Sequence, residues 1–159
     1  MKRVLVTGGT GFLGSNLIQR ILKNKEVESI VVPTTKIRGT TSLQLLGVAS
    51  GKVHLINGDI RDYDFLQRLF NEHEFDSVFH LGALTEVRKC QSNAKLAFDT
   101  NVVGTINLLE IARLFGQVKS FVVSSSDKAY GRCELPYKED HPLDGKGIYE
   151  VSKSCTDLI

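Results

Sequence analysis

The sequence predicts an α/β fold, a doubly wound parallel sheet, and three observations carry that expectation. Short apolar runs recur along the chain and alternate with stretches whose apolar residues fall at helical spacing. The first run closes on a cluster of glycines, and a helical pattern begins directly behind it. No repeat, low-complexity tract or linker breaks the alternation, which implies βαβ units joined by right-handed crossovers.

The first element is the run Val4, Leu5, Val6, suited to a strand buried on both faces and ending at Thr7. Gly8, Gly9 and Gly11 follow, and from Phe12 the residues Leu13, Leu17, Ile18, Ile21 and Leu22 take helical spacing. A pyrophosphate reaches main-chain N–H groups at a helix N-terminus, where unpaired donors and the helix dipole favour an anion and a Cβ would hold it off. Gly8 and Gly11 are expected to supply that clearance, and Gly14 to let the helix lie close against the strand. The spacing Gly8-x-x-Gly11-x-x-Gly14 is a TGxxGxxG variant of the dinucleotide-binding turn.

Residues 29–32 (SIVV) form a second strand, expected to stop at Pro33, which cannot donate to a central ladder. An NAD-binding fold normally places an acidic residue here for the ribose hydroxyls, and the sequence instead offers Thr34, Thr35, Lys36 and Arg38. Thr34 and Arg38 are therefore candidate cofactor contacts, and the basic character favours NADP modestly without excluding NAD. Residues 39–51, with Leu43, Leu45, Leu46 and Val48, suggest one or two helical turns. Residues 53–56 form a third strand leading into Gly58-Asp59-Ile60. Asp62 is an N-cap candidate for a helix to about Glu72, with Phe65, Leu66, Leu69 and Phe70 inward.

The fourth strand covers residues 77–81 and runs into Gly82-Ala83, a second place where backbone can pass close to a cofactor. A long helical region spans residues 93–115, with Gly104 inside it and Gly116 as its cap, and residues 119–125 form the fifth strand. Ligands of such sheets bind beyond the carboxyl ends of the strands. The Gly8 turn, Asp59, residues 81–83 and residues 124–128 are therefore expected to converge on one cleft.

Composition narrows the partners. The chain has 159 residues, 42% hydrophobic and 24% charged, with a net charge of +2. That is enough for one core and gives no reason to expect nucleic acid or a membrane surface. The apolar runs are too short to span a bilayer, and Met1-Lys2-Arg3 leads straight into a strand, so a cytoplasmic location is expected. Cys90, Cys133 and Cys155, and His54, His73, His80 and His141, lack the spacing of a disulfide framework or a metal site.

Chemistry concentrates behind the fifth strand, in Ser124-Ser125-Ser126-Asp127-Lys128-Ala129-Tyr130-Gly131 and in Tyr149-Glu150-Val151-Ser152-Lys153. Tyr149 and Lys153, four apart, share one face of a helix. A positive charge beside a phenol favours the phenolate and makes it a usable general base. A serine hydroxyl can hold the substrate hydroxyl meanwhile.

TGGTGFLG, GDI, HLGA, Asn101-Val102-Val103-Gly104-Thr105, SSSDKAYG and YEVSK occur together in this order, and through them the chain resembles the extended short-chain dehydrogenase/reductases, specifically the nucleotide-sugar epimerases and dehydratases. The resemblance runs from Lys2 to Lys153 and implies a Rossmann-like fold, an NAD or NADP cofactor and a nucleoside-diphosphate-sugar substrate. It makes Gly8, Gly11, Phe12 and Leu13 pyrophosphate contacts and Asp59 and Ile60 adenine contacts. Leu81, Gly82 and Ala83 would lie along the cofactor, and Gly82, where many members carry alanine, is expected to be harmless. Asn101 matches the family's helix asparagine on the cofactor side. Ser126, Tyr149 and Lys153 match the catalytic triad, the last two also touching the cofactor. Asp127 and Lys128 match the acid/base pair of the 4,6-dehydratases; a C4-epimerase would need only the triad.

Members of the family are longer, and this chain stops at Ile159, shortly after Lys153 and without a helix-stop signal. Residues 1–159 are thus expected to be a dinucleotide-binding domain lacking the sugar-binding portion. Its fifth strand would form an apolar edge, and self-association, as a homodimer through that edge or the long helix, is expected. A binding module without turnover is the reading from another class.

Overall fold

The computed structural model describes residues 1–35, 42–48 and 51–159. Its strands are β1 (Arg3–Thr7), β2 (Ser29–Thr34), β3 (Val53–Asn57), β4 (Ser77–His80) and β5 (Ser120–Val123). All pair in parallel, in the order β3-β2-β1-β4-β5. The helices are α1 (Phe12–Ile21), α2 (Ser42–Leu45), α3 (Tyr63–His73), α4 (Val87–Ser92), α5 (Ala94–Phe98), α6 (Gly104–Phe115) and α7 (Ile148–Leu158). A π-helical turn, Asp99–Val103, joins α5 to α6, and a 3-10 turn covers Asp127–Tyr130. The chain divides into two compact units, residues 1–82 with 107–124, and residues 83–106 with 125–159.

The first unit contains the sheet. Successive residues of a strand point to opposite faces, so a strand covered on both sides reads as a continuous apolar run. Val4, Val6, Ile30 and Val32 pack with Ile18, Ile21 and Val27 on one face, and Leu5, Val31 and Val78 pack with Phe65, Leu66, Leu69, Phe70, Leu108 and Ile111 on the other. The inward pattern read for α3 is thus correct. Asp62 caps that helix, its Oδ1 accepting from the Phe65 amide at 2.9 Å, and Glu74, at φ 45°, ends it in the left-handed region. The fifth strand lies at a sheet edge, with Val122 45% exposed.

Pro33 does not end its strand: β2 continues to Thr34, with Pro33 paired to Ile56 in the ladder with β3. The reason lies in which side lacks the donor. Amides of a parallel strand point alternately to its two neighbours, and Ile30 donates towards β3, to the Lys52 carbonyl. Pro33 therefore faces the β1 side, where the ladder has already ended at Leu5 opposite Val31.

The long helical region is three segments. Asn93 caps α5, accepting from the Leu96 amide at 3.0 Å, and Gly116, at φ 63°, follows α6. Helix α4 had no sequence signal beyond Val87 and Cys90, too few apolar residues for a period. Of the uncertain stretch 39–51 only residues 42–48 and Gly51 are described; Lys36, Arg38 and residues 39–41 and 49–50 lie outside the described residues. Among those described, no helix is long and apolar enough to cross a membrane.

Replacing Asp62 by alanine removes the side-chain acceptor of the Phe65 amide. Urea unfolding of Asp62→Ala is expected to show a loss of about 1 kcal/mol with an unchanged slope.

Candidate functional site

In the first unit the glycine turn is built by backbone approach. Gly8 adopts φ +67°, and a Cβ on it would stand 2.7 Å from the Leu81 carbonyl and 2.8 Å from the Gly82 nitrogen. The space that a Cβ on Gly8 would fill is therefore taken by the residues that follow β4. Gly11 is the open one: it is exposed, and a Cβ there would meet only the Gly8 carbonyl oxygen, at 3.3 Å. Gly14 presses on the turn itself, since a Cβ would overlap the Gly8 carbonyl oxygen and lie 2.6 Å from the Gly9 Cα. Gly9, which the sequence did not single out, fits against Val32 and Ile18, with a Cβ falling 2.8 Å from a Val32 methyl.

Helix α1 starts from Gly11 with no side-chain cap and no acidic residue in its first turn. Phe12 and Leu13 are 79% and 64% exposed there. Unpaired N–H groups, an uncompensated helix dipole and a Cβ-free approach fit a pyrophosphate.

Two buried residues missed by sequence reasoning brace this turn. Thr7 Oγ1 lies 2.6 Å from His80 Nδ1 and accepts from the Gly82 amide at 3.0 Å. The Thr7 hydroxyl thus joins the end of β1 both to the His80 ring and to the Gly82 main chain. A Cβ on Gly82 would stand 3.0 Å from Thr7 Oγ1, so glycine here is fitted to its neighbour.

Asp59 and Ile60 sit in the turn after β3. The Arg61 guanidinium grips the Asp59 carboxylate, Nε at 3.0 Å from both oxygens, and holds it below the usual carboxylate range. Asn107, also unmarked in the sequence reading, donates from Nδ2 to the carbonyls of Ile60 at 3.1 Å and Arg61 at 3.2 Å. Thr34 is buried, and its carbonyl accepts from the Gly58 amide at 3.1 Å.

In the second unit Tyr149 and Lys153 lie one turn apart on α7. They are not an exposed pair: Tyr149 is half-buried and Lys153 is 4% exposed. Burial pushes the Lys153 ammonium below its ordinary value, opposed by the Asp157 charge one turn on. The helix begins with Glu150 Oε2 accepting from the amides of Gly147 and Lys146, both at 2.9 Å, which keeps that carboxyl low.

Asn101 faces inward. Its Oδ1 accepts from the Leu84 amide at 2.7 Å, and its Nδ2 donates to the Leu84 carbonyl at 3.1 Å and to Ser152 Oγ at 2.9 Å. Ser152 adjoins Lys153, so this carboxamide fixes α7 beside the residues following β4. Ser126 caps the 3-10 turn, accepting from the Lys128 amide at 3.2 Å and donating to Asp127 Oδ1 at 3.2 Å. Asp127 and Lys128 form an ion pair at 3.4 Å with side chains about half exposed, too open to stabilise much but accessible to a substrate. Ser154 Oγ donates to the Ala129 carbonyl at 2.8 Å and ties that turn to α7. Ala83 is half-buried in this unit. Among the described residues no cluster of three potential metal ligands occurs.

The family model described as GDP-mannose 4,6 dehydratase matches residues 5–159. The chain belongs to the NAD-dependent epimerase/dehydratase family. It is 36% identical to a UDP-glucose 4-epimerase of Neisseria meningitidis over all of its own length and 47% of the relative. It is 34% identical to the CDP-glucose 4,6-dehydratase of Salmonella typhimurium over 99% of itself and 44% of that relative. The chain thus spans a little under half the length of these curated relatives. Among solved structures, the Thermus thermophilus UDP-glucose 4-epimerase complexed with NAD superposes with a TM-score of 0.82 at 29% identity, over 98% of this chain and 49% of the other. The Bacillus anthracis dTDP-glucose 4,6-dehydratase with NAD gives 0.81 at 25%, over 99% and 49%. The Rossmann-like fold follows.

In this epimerase/dehydratase chain two substitutions test the second unit. Asn101→Ala removes the acceptor of the Leu84 amide and the Nδ2 donor to its carbonyl, which keeps only the Cys90 thiol, and a loss of about 2–4 kcal/mol in urea unfolding is expected. For Lys153 the folded-state affinity for a proton lies below the unfolded value of about 10.4, so the unfolded chain binds more protons between the two and stability rises with pH there. Lys153→Met is accordingly expected to unfold at higher urea than the parent at neutral pH, the gap closing as pH rises towards about 10.

Proposed function

We propose that this chain holds NAD or NADP and supplies the reacting residues of a nucleoside-diphosphate-sugar 4,6-dehydratase. The observation that carries this reading is the pairing of Tyr149 with buried Lys153 on α7, in the same unit as the exposed Asp127–Lys128 pair that Ser126 precedes. In the first unit Gly11, Phe12 and Leu13 would hold the pyrophosphate, with Gly8, Leu81 and Gly82 shaping the turn. Asp59, Ile60, Thr34 and Arg38 are the proposed adenosine-side residues, and Ala83 lies on the nicotinamide side. Asn101 acts by positioning, since both its amide hydrogens are engaged.

A bound nicotinamide would supply the hydride acceptor for sugar C4 and, after the loss of water, the hydride donor for C6. Tyr149 removes the proton of the 4-hydroxyl, and the Lys153 ammonium one turn away stabilises the phenolate. Ser126 orients that hydroxyl. The resulting 4-ketone makes the C5 proton acidic; Lys128 accepts it while Asp127 protonates the departing 6-hydroxyl, so water leaves across C5–C6. Lys128 performs this step as the neutral amine and Asp127 as the acid, which requires a proton to pass between the paired groups before elimination.

The solved neighbours complexed with NAD support that cofactor, whereas the basic residues Lys36 and Arg38 support NADP. Within the dehydratases the run SSDKAYG with YEVSK resembles CDP-glucose 4,6-dehydratase, and the similar Salmonella typhimurium enzyme supports CDP-glucose as substrate. A second reading, C4-epimerisation, draws on the several UDP-glucose 4-epimerases of similar sequence and needs only Ser126, Tyr149 and Lys153.

Incubation with NAD and either CDP-glucose or UDP-glucose, with products read by mass and NMR, separates these. A 6-deoxy-4-keto sugar, abolished by Tyr149→Phe, supports the dehydratase. In Asp127→Asn the expected outcome is loss of water elimination by a factor of about 100 or more. A C4 epimer alone overturns the dehydratase in favour of the epimerase. Saturable cofactor binding without either product identifies a binding module.

A further inference from the structure

Outside the residues assigned above, one pair in the second unit combines a nucleophile with a base. Cys133 Sγ lies 3.3 Å from His141 Nδ1 across eight residues of chain. The Lys138 main-chain amide approaches the same nitrogen at 3.4 Å. A main-chain N–H can only donate, so Nδ1 is the bare nitrogen and Nε2 carries the hydrogen, and the one lone pair of Nδ1 is shared between the Lys138 amide and the Cys133 thiol hydrogen.

The imidazole is held in place. Its ring stands edge-on to Tyr130, with centroids 6.3 Å apart and planes at 87°, and Tyr130 stacks on Tyr137 at 5.4 Å. Cys133 and His141 are both half-buried, which leaves the sulfur reachable by a small molecule. Cys90 has the opposite setting: it is fully buried, its thiol is 3.4 Å from the Leu84 carbonyl, and burial pushes the thiol up. Cys155, half-buried on α7, is an internal reference.

We infer that Cys133 is a modification site for small-molecule disulfides, with His141 as its proton acceptor. The thiol proton passes to Nδ1 and on to solvent, and the Cys133 sulfur attacks one sulfur of the disulfide. The S–S bond of that molecule breaks, a new S–S bond to Cys133 forms, and the departing thiolate keeps the electron pair. One disulfide is consumed and one is formed, so no further oxidant enters. The adduct displaces the thiol from His141, in the segment between the Ser126 turn and α7.

The test exposes the chain to oxidised glutathione and follows each cysteine by peptide mass spectrometry. Cys133 is expected to take up glutathione at least about ten-fold faster than Cys155, with Cys90 slower still. In His141→Gln, with circular dichroism unchanged, the lead over Cys155 is expected to fall to about two-fold or less. Equal rates at Cys133 and Cys155 in the parent chain, or a lead that survives His141→Gln, overturn the inference. The parent comparison needs no variant and stands if the substitution unfolds the chain.

Discussion

The close approach of the Gly8 turn to the end of β4 is the constraint on which the first unit depends. Backbone meets backbone there, because Gly8 has no Cβ to keep the Leu81 carbonyl away, and Thr7 closes the contact through His80 and the Gly82 amide. With β1 fixed to β4 at its carboxyl end, α1 must leave from Gly11, and Gly14 sets how tightly it folds back. The open amides of that helix point where they do because the turn beneath them cannot relax.

The second unit is held together differently. Its buried residues include Asn101, Thr105, Ser152, Lys153, Ser154 and Thr156, with few large apolar side chains. Such an interior is stable only if its polar groups find partners. Ser152 Oγ donates to the Tyr149 carbonyl, Ser154 Oγ to the Ala129 carbonyl, and Thr156 Oγ1 to the Ser152 carbonyl. Hydrogen bonds are directional where apolar contacts are not, so this interior specifies the placement of Tyr149 and Lys153 on α7 rather than merely burying them.

The sheet was legible in the sequence because its central strands are covered on both faces, leaving Val4–Leu5–Val6 and Ile30–Val31–Val32 as continuous apolar runs. Local helix geometry was legible where it needs a fixed spacing, as in Tyr149 and Lys153 one turn apart on α7 or Asp62 three residues before the amide it caps. What was lost are relations across the chain. Pro33 was misjudged because its tolerance depends on where a neighbouring ladder ends, and the close approach of Leu81 and Gly82 to Gly8 has no mark in the spacing of the glycines. Thr7 with His80, Asn107 with Ile60, and Cys133 with His141 carry no pattern of their own. Helix α4 was missed for want of apolar residues, and the wide turn at Asp99–Val103 because residue type alone does not mark it.

That wide turn has a consequence for the helix it interrupts. Ala97, Asn101 and Thr105 are all buried and follow each other in steps of four. In an ideal α-helix each such step overshoots a full rotation by about 40°, so three residues so spaced would drift off a common face. The π turn takes more residues per rotation and absorbs the excess. It also leaves the Asn101 carbonyl to accept the Thr105 hydroxyl at 2.6 Å and the Thr156 hydroxyl at 3.3 Å. The turn therefore works as a phase correction: it keeps Ala97, Asn101 and Thr105 on one buried face within the second unit.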